Sequence, residues 1–586
     1  MAYDLLTTSG INSLVNSYIN TESQKRLSPL ANRKTKYTSI SNIYSGLLSK
    51  VDALKSKMSI LKATGTSSAF AVKKATSSNT TAVTVSASTA AQKGAFALRV
   101  NQLAKNDLVV SLDKNSADFS TITTPGTYTF AIKGGDGEGG QFTSNVSVVL
   151  EADDFTDGNI SFEDLSVIVA KAINDDKAVV ESNSVSGSTL SSGSFTFDLN
   201  GTETTINYSA GTYDEVIDSI ITQLEDVSGL AAEKVVDGTN VSLKLTVTDS
   251  SKYISINGDT GSLLSELGIS VEQEKGASGI VSATSFSPST GLSQISLTAK
   301  NSGVGFKIDE LSDLSGGVLV QFGLNLGSTR TAFVQNESGV DTAGYVHDSA
   351  ILNSKIVFNG LNIERNSNSI SDLVTGVTLN LKSVMSVDDN DITVDVSNDV
   401  SAVKAKIDEF ISTFNDVYNY IKTNTSSSEG VRGVLLGDAS GSSLLSLLSS
   451  TAYSPVSSLG SGTINSLTEM GITFNSNTGL SITDSDQLND VLENNIEEVE
   501  QTFNSDSGIA ANLYNKLLPY TGYNGYLTAR KNTIDGNIKS TSDSITKIQT
   551  KIEKDSEVLR NRYIQLQSQL SELLTSTGSF GSDLFS

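Results

Sequence analysis

Residues 28–61 read SPLANRKTKYTSISNIYSGLLSKVDALKSKMSIL, and the spacing of apolar side chains in this stretch decides the fold class. Two apolar series recur at seven-residue intervals and lie three positions apart, which is the a/d pattern of a coiled coil. The first series is Leu30, Tyr37, Tyr44, Val51 and Met58, and the second is Ile40, Leu47, Leu54 and Leu61. We predict one helix, roughly 50 Å long at ~1.5 Å per residue. Ser28 as cap and Pro29 as first helical residue predict its start.

The other end of the chain has the same seven-residue apolar repeat. Apolar residues recur every seven positions at Ile538, Ile545, Ile552, Leu559, Leu566 and Leu573. A second apolar series beside this one changes phase near Ile552, and such a change alters supercoil winding locally. If the two ends form one helical bundle, everything between them is an insertion. That arrangement predicts a head on a helical stalk, a shape suited to assembly.

A third a/d pattern follows the central region. Its members are spaced alternately three and four residues apart, at Val400, Val403, Ile407, Phe410, Phe414, Val417 and Ile421. Asn398 is the predicted cap of this helix. We expect the helix to pack against the proximal parts of both terminal helices.

The central region reads as short strands separated by glycine, serine, asparagine and aspartate. Two segments resemble each other there, because Phe162 and Tyr213 each open an apolar helical run, 51 residues apart. A hairpin is predicted at 471–482. The predicted fold class is therefore α+β multidomain, with a terminal coiled-coil or helical-bundle stalk and inserted β-rich head domains.

The predicted domain boundaries follow these changes of pattern. Residues 1–45 with 540–586 form a terminal helical leg, and residues 46–72 with 397–539 form a helical-bundle stalk. Residues 73–129 with 285–396 form a β-rich head domain. Residues 130–284 form a variable inserted head of two α+β modules.

Composition narrows the function classes. The net charge is −24 at pH 7, although residues 1–75 hold 11 lysines and arginines against 3 acids. The acidic middle disfavours nucleic acid and anionic membranes as partners. The basic start could meet an anionic partner, but we favour a solvated helix face because the charges are spread along it. The chain has no cysteine, and we expect no secretory signal and no membrane insertion.

Few residues suggest a catalytic, phosphate-binding or metal-binding role. His347 is the only histidine, and its loop indicates an ordinary surface residue. The glycine-rich segment 134–140 is acidic and would repel phosphate. The segment 388–391 lacks the glycine and glutamate of a calcium loop. We therefore predict a protein that is not an enzyme and has no cofactor and no metal site.

Four segments resemble the bacterial flagellar filament cap protein, the flagellar hook-associated protein 2 family. They are 10–15 with 25–30, then Arg99-Val100-Asn101-Gln102-Leu103-Ala104, then 357–379 with 410–417, and finally 470–482 with 508–510. The third is the most specific. The likeness is weak across 130–285, where one extra head domain is expected.

The resemblance implies a structural protein at the distal tip of the flagellum, secreted by the flagellar type III path and extracellular. It implies a homo-oligomeric ring that promotes folding and insertion of flagellin beneath it. It also implies the hook–filament junction protein as a partner during assembly and an export chaperone at the C-terminal region. The apolar residues of the terminal helices would then form the assembly surface.

Alternatives stay open at this point. Flagellin and hook–filament junction proteins share paired terminal helices, and an acidic surface adhesin would share a head on a trimeric stalk. Electron microscopy of the purified protein separates filaments from closed rings, and mass in solution identifies a stable trimer.

Overall fold

The computed structural model describes residues 7–187, 189–269, 271–337, 339–428, 431–460 and 462–583. The outermost residues of the predicted leg, 1–6 and 584–586, lie outside the described residues. No helix of the described residues is long and apolar enough to cross a membrane.

The helices occupy the two ends of the chain and a few positions between them. In chain order they are α1 (Thr8–Glu22), α2 (Ser28–Leu61), α3 (Phe162–Asp175), α4 (Tyr213–Leu224), α5 (Leu263–Glu266), α6 (Ala277–Ile280), α7 (Val318–Gln321), α8 (Val400–Thr425), α9 (Ala439–Tyr453), α10 (Ser485–Asn494), α11 (Ile496–Asn504), α12 (Ile509–Leu517) and α13 (Tyr526–Asp583).

The strands fill the middle. In chain order they are β1 (Lys73–Ser77), β2 (Val83–Ala87), β3 (Gly94–Gln102), β4 (Asn106–Val110), β5 (Lys114–Asn115), β6 (Gly126–Gly135), β7 (Gln141–Leu150), β8 (Val179–Glu181), β9 (Thr189–Leu190), β10 (Gly193–Leu199), β11 (Thr202–Tyr208), β12 (Gly211–Thr212), β13 (Leu230–Asp237), β14 (Asn240–Val247), β15 (Tyr253–Asp259), β16 (Val271–Lys275), β17 (Val281–Phe286), β18 (Leu292–Ser302), β19 (Ile308–Ser315), β20 (Val334–Asn336), β21 (Gly339–Thr342), β22 (Gly344–Tyr345), β23 (Ser354–Phe358), β24 (Leu361–Arg365), β25 (Ser369–Val374), β26 (Val377–Leu381), β27 (Ile392–Asn398), β28 (Ser427–Ser428), β29 (Val431–Arg432), β30 (Ile472–Asn475) and β31 (Gly479–Ile482).

The chain divides into two compact units. The helical unit comprises Met1–Lys74, Ser88–Ala90 and Ser397–Ser586, and the β-rich unit comprises Ala75–Ala87 and Ala91–Val396. The prediction of an α+β multidomain chain is confirmed. The hairpin of β30 and β31 lies where the sequence predicts it.

Among its described residues, the β-rich unit contains three hydrophobic cores. Module A has its core within 109–173 and 277–345, module B within 178–269, and module C within 82–100 and 356–396. Two sheets, in the orders β1-β27-β3-β23-β24 and β2-β26-β25, form module C, and the sheet β17-β18-β4-β22 lies in module A. A seven-stranded sheet, β11-β10-β15-β16-β7-β6-β19, runs through modules B and A.

These cores do not follow the predicted boundaries at 129/130 and 284/285. Ile122 and Ile295 share one cluster with Phe130 and Phe142. Sequence patterning marks strands but not their sheet partners, so β17, β18 and β19 could not be assigned to the strands before 150. The division into four domains stays a prediction.

Two local expectations are corrected. Ser28 does not cap α2, because a π-helical turn, Ser23–Leu27, joins α1 to α2 and Ser28 is itself helical. A wider turn accommodates a proline that would otherwise clash with the carbonyl four residues earlier. Asp399, rather than Asn398, caps α8 by accepting a hydrogen bond from the Ala402 amide. Further along the chain, Asn495 separates α10 from α11.

Candidate assembly surface

The C-terminal half of α2 lies at the centre of the helical unit. Six of the predicted coiled-coil positions are no more than 1% exposed: Tyr44, Leu47, Val51, Leu54, Met58 and Leu61. The apolar a/d face of this half is therefore fully covered within one chain. The earlier positions Leu30, Tyr37 and Ile40 are only partly buried.

The stalk-packing positions predicted on α8 lie in the same core. Val403, Ile407, Phe410, Phe414, Val417 and Ile421 are no more than 1% exposed. The Phe410 ring packs against Phe414 at 5.9 Å and against Phe503 of α11 at 6.0 Å between centroids. At the margin of this core, Lys57 pairs with Glu409 at 2.7 Å.

A buried polar contact joins α2 to two later helices. The Tyr44 hydroxyl donates to Asp438 Oδ2 at 2.7 Å, and Asp438 Oδ1 caps α9 by accepting from the amides of Ser440 and Gly441. Arg530 of α13 lies 3.6 Å from the same carboxylate. Burial first, and then the hydrogen bond to Asp438, raise the pKa of Tyr44 to about 12. Sequence reasoning missed Asp438 because nothing local marks its partner.

Along α13 the positions that are buried against α2 belong to the second predicted series, which lies beside Ile538 and Ile545, rather than to the first. The buried positions are Leu527, Ile534 and Thr541, seven residues apart, whereas Ile538 and Ile545 are partly exposed. Polar contacts accompany this face. Ser41 donates to Asp535 at 2.5 Å, and Lys34 donates to Ser542 at 3.1 Å. Hydrogen bonds to Lys531 and then Ser41 lower the pKa of Asp535.

The buried face of α13 resumes at Ile552 and Ser556, eleven residues beyond Thr541. This is the place where the sequence predicts a phase change. Here α1 packs against α13, with Ile11 and Val15 buried. A groove of about 400 Å³ lies between these helices, lined by Leu14, Tyr18, Asp555, Val558, Leu559, Arg562 and Tyr563.

Beyond this groove the apolar face of α13 is open to solvent. Leu559 is partly buried, whereas Leu566 is 50% exposed, Leu570 42% and Leu573 65%. We call Leu566, Leu570 and Leu573 the distal stripe. Exposed apolar residues that recur on one helical face indicate a surface that another helix or protein covers. Within the described residues, the predicted assembly positions in the second half of α2 therefore lie in the core, whereas those near the end of α13 lie on the surface. Both sets follow a seven-residue repeat.

The His347 loop and the 388–391 segment, which the sequence analysis weighed as catalytic and calcium-binding sites, make contacts with neighbouring arginines. The backbone carbonyl of His347 accepts from Arg330 Nη2 at 2.8 Å. Arg99 Nε donates to Asp391 Oδ1 at 2.9 Å, and its Nη1 donates to the Ser386 carbonyl at 2.9 Å, so a cation already lies against the 388–391 segment. Among the described residues no cluster of three or more histidine, aspartate or glutamate side chains could hold a metal ion.

Known proteins resemble both ends of this chain. The family model described as flagellar hook-associated protein 2 N-terminus matches residues 9–107, and the corresponding C-terminus model matches 352–574. Residues 108–351, which include modules A and B, lie between these matches.

Two relatives come from Pseudomonas aeruginosa. The A-type flagellar hook-associated protein 2 is 26% identical over 378 residues, covering 62% of this chain and 77% of the relative. The B-type protein is 29% identical over 342 residues, covering 56% and 68%. The solved D1-D2-D3 domains of the flagellar cap protein FliD from Escherichia coli match with a TM-score of 0.50 and 16% identity, covering 84% of this chain and 99% of that chain, which indicates a similar fold.

Proposed function

This chain belongs to the flagellar hook-associated protein 2 family and is a flagellar filament-capping protein, and from this premise we propose that copies of it form a ring at the distal tip of the filament. The ring would promote folding and insertion of exported flagellin beneath it. The flagellin, junction-protein and adhesin alternatives have no support among the relatives reported above.

The distal stripe carries the proposal about partners. Leu566, Leu570 and Leu573 recur on one face of α13, and each is more than 40% exposed. In water, an exposed apolar face of this kind is unfavourable, so a partner that covers it would lower the free energy. We propose that flagellin covers it on the filament and that the hook–filament junction protein does so when the cap first assembles. Before export, a chaperone would cover the same C-terminal region.

A triple substitution tests this role directly. Leu566→Ser, Leu570→Ser and Leu573→Ser together remove the apolar face without touching a buried residue. We expect swimming to be lost, filaments to be short or absent, and monomeric flagellin to accumulate in the medium. The matched control is Asn561→Ala, Ser568→Ala and Thr575→Ala, since these exposed side chains lie on the opposite face of α13. Normal filaments in the stripe variant would contradict the proposal.

Oligomer formation is tested separately. Electron microscopy and native mass measurement of the purified chain should show closed rings or plates, whereas long filaments would favour a flagellin-like role. We also propose that the protein acts without catalysis and is extracellular. His347→Ala should leave motility unchanged, and antibody labelling of intact cells should mark filament tips.

A further inference from the structure

Module A is connected to module C at two places in the chain. The first crossing, 103–105, lies between β3 and β4, and the second, 346–353, lies between β22 and β23. The two crossings lie side by side, because the Lys105 amide donates to the Leu352 carbonyl at 2.8 Å. Two segments that cross at one place leave rotation about that place open, so further contacts decide whether the modules move separately.

A turn of module A supplies a contact outside both crossings. Residues Val304–Phe306 form one 3₁₀ turn between β18 and β19, and this turn lies against Asn366, which follows β24 of module C. Asn366 Oδ1 accepts from the Gly305 amide at 3.0 Å, and the Asn366 carbonyl accepts from Ser302 Oγ at 2.7 Å. Module A is therefore bound to module C through both the side chain and the backbone of one residue.

Glycines at 303 and 305 allow this close approach. Gly303 has a φ of +96°, and a Cβ placed on it would overlap Asn366 Cα. A Cβ on Gly305 would come within 2.5 Å of Asn366 Nδ2. Because glycine has no Cβ, the backbone of the turn can touch Asn366, and a larger residue would displace one from the other.

The glycine-rich segment 134–140 of module A holds the opposite side of the turn. The Gly137 amide donates to the Gly305 carbonyl at 2.9 Å. A Cβ on Gly135 would overlap the same carbonyl oxygen, and a Cβ on Gly137 would overlap the Phe306 ring. The glycines of this segment therefore have a packing role, because they let its backbone enclose the turn.

We propose that turn 303–306 locks module A to module C, so that the two modules move as one body. Gly305 is the central residue of the lock, since its amide donates to Asn366 of module C and its carbonyl accepts from Gly137 of module A. Asn366 is the positioning residue, and its acceptor oxygen is the group that the lock requires. Displacement of module A is then transmitted to module C instead of bending the crossings. The inference does not depend on the filament-cap role.

Distances between two spin labels in the full chain test the lock. The chain lacks cysteine, so Ser86→Cys on β2 of module C and Val167→Cys on α3 of module A can be labelled specifically, and both positions are exposed. Pulsed electron paramagnetic resonance of the parent should give one narrow distance distribution. Asn366→Ala should broaden it, whereas Asn366→Asp should keep it narrow because an acceptor oxygen remains at the same place.

A second variant breaks the lock from the other module. In Gly305→Ala the added methyl displaces the Asn366 amide, so the distribution should broaden again. Asn366 and Gly305 lie outside the three hydrophobic cores, so both variants should keep the circular-dichroism spectrum of the parent.

The matched control is Asn359→Gly. Asn359 Oδ1 also accepts from a backbone amide, that of Ala97 at 2.8 Å, but this bond lies within module C. Glycine adopts the Asn359 φ of 47° without strain, so this variant should leave the distribution narrow. A broad distribution in the parent, or a narrow one in either Asn366→Ala or Gly305→Ala, would overturn the proposal.

Discussion

Two stretches of the helical unit carry the same seven-residue rhythm with opposite burial. Leu54 in α2 is fully buried, whereas Leu566 in α13 is 50% exposed. In α2 the apolar face is covered by α8, α12 and α13 of the same chain. In the distal part of α13 no described element covers it. A heptad pattern therefore predicts a helix and one apolar face, but it does not say which molecule covers that face.

The largest difference between the two stretches should lie in stability. We expect Leu54→Ala to destabilise the helical unit by about 2–5 kcal/mol, because it leaves a cavity in a closed core. Chemical denaturation followed by the helical circular-dichroism signal measures this loss. A cost below about 1 kcal/mol would mean that the core around α2 is loosely packed.

Sequence reasoning identified the long helices, the α8 face and the β30–β31 hairpin, because periodicity and turn residues are local signals. It failed where a contact joins distant residues. Tyr44 and Asp438 are 394 positions apart. The hydrogen bond that the Ala277 amide donates to Asp176 could not be predicted either, because the two residues are 101 positions apart. The Ser28 cap was wrong because the backbone continued as a π-helical turn instead of stopping.

The hydrogen bond between Tyr44 and Asp438, in the core around α2, gives a second test of the comparison. Tyr44→Phe keeps the ring but removes one donor from Asp438, which retains the two α9 amides and Arg530. We expect a loss of about 1 kcal/mol at neutral pH, the net value of one such hydrogen bond. A loss of about 3 kcal/mol or more would indicate that the tyrosine hydroxyl organises all three helices.

The same variant should respond differently to alkali. Because the folded-state pKa of Tyr44 is about 12 against an ordinary 10.0, the folded chain holds this proton after the unfolded chain has lost it. Its contribution is complete below pH 10 and decreases as pH rises toward 12. Denaturation at several alkaline pH values should show a steeper loss in the parent than in Tyr44→Phe.

Gly536 lies between the two stretches, on an exposed turn of α13. A Cβ placed there meets nothing within 4 Å, and the backbone is helical. Gly536→Ala should stabilise the helical unit by up to about 1 kcal/mol, because alanine loses less backbone entropy. Thermal unfolding measures the gain. Destabilisation would show that α13 requires a flexible point here.

The smallest stability change belongs to the distal stripe. Leu566→Ala should alter the free energy of unfolding by less than about 0.5 kcal/mol, since half of the side chain is already in water. Its effect on filament growth should nevertheless exceed that of Gly536→Ala, because the lost area would face a partner rather than the core. Swimming assays beside denaturation curves separate these quantities. If Leu566→Ala destabilises the isolated protein as Leu54→Ala does, the distal face is covered by this chain itself, and the contrast between the two stretches disappears.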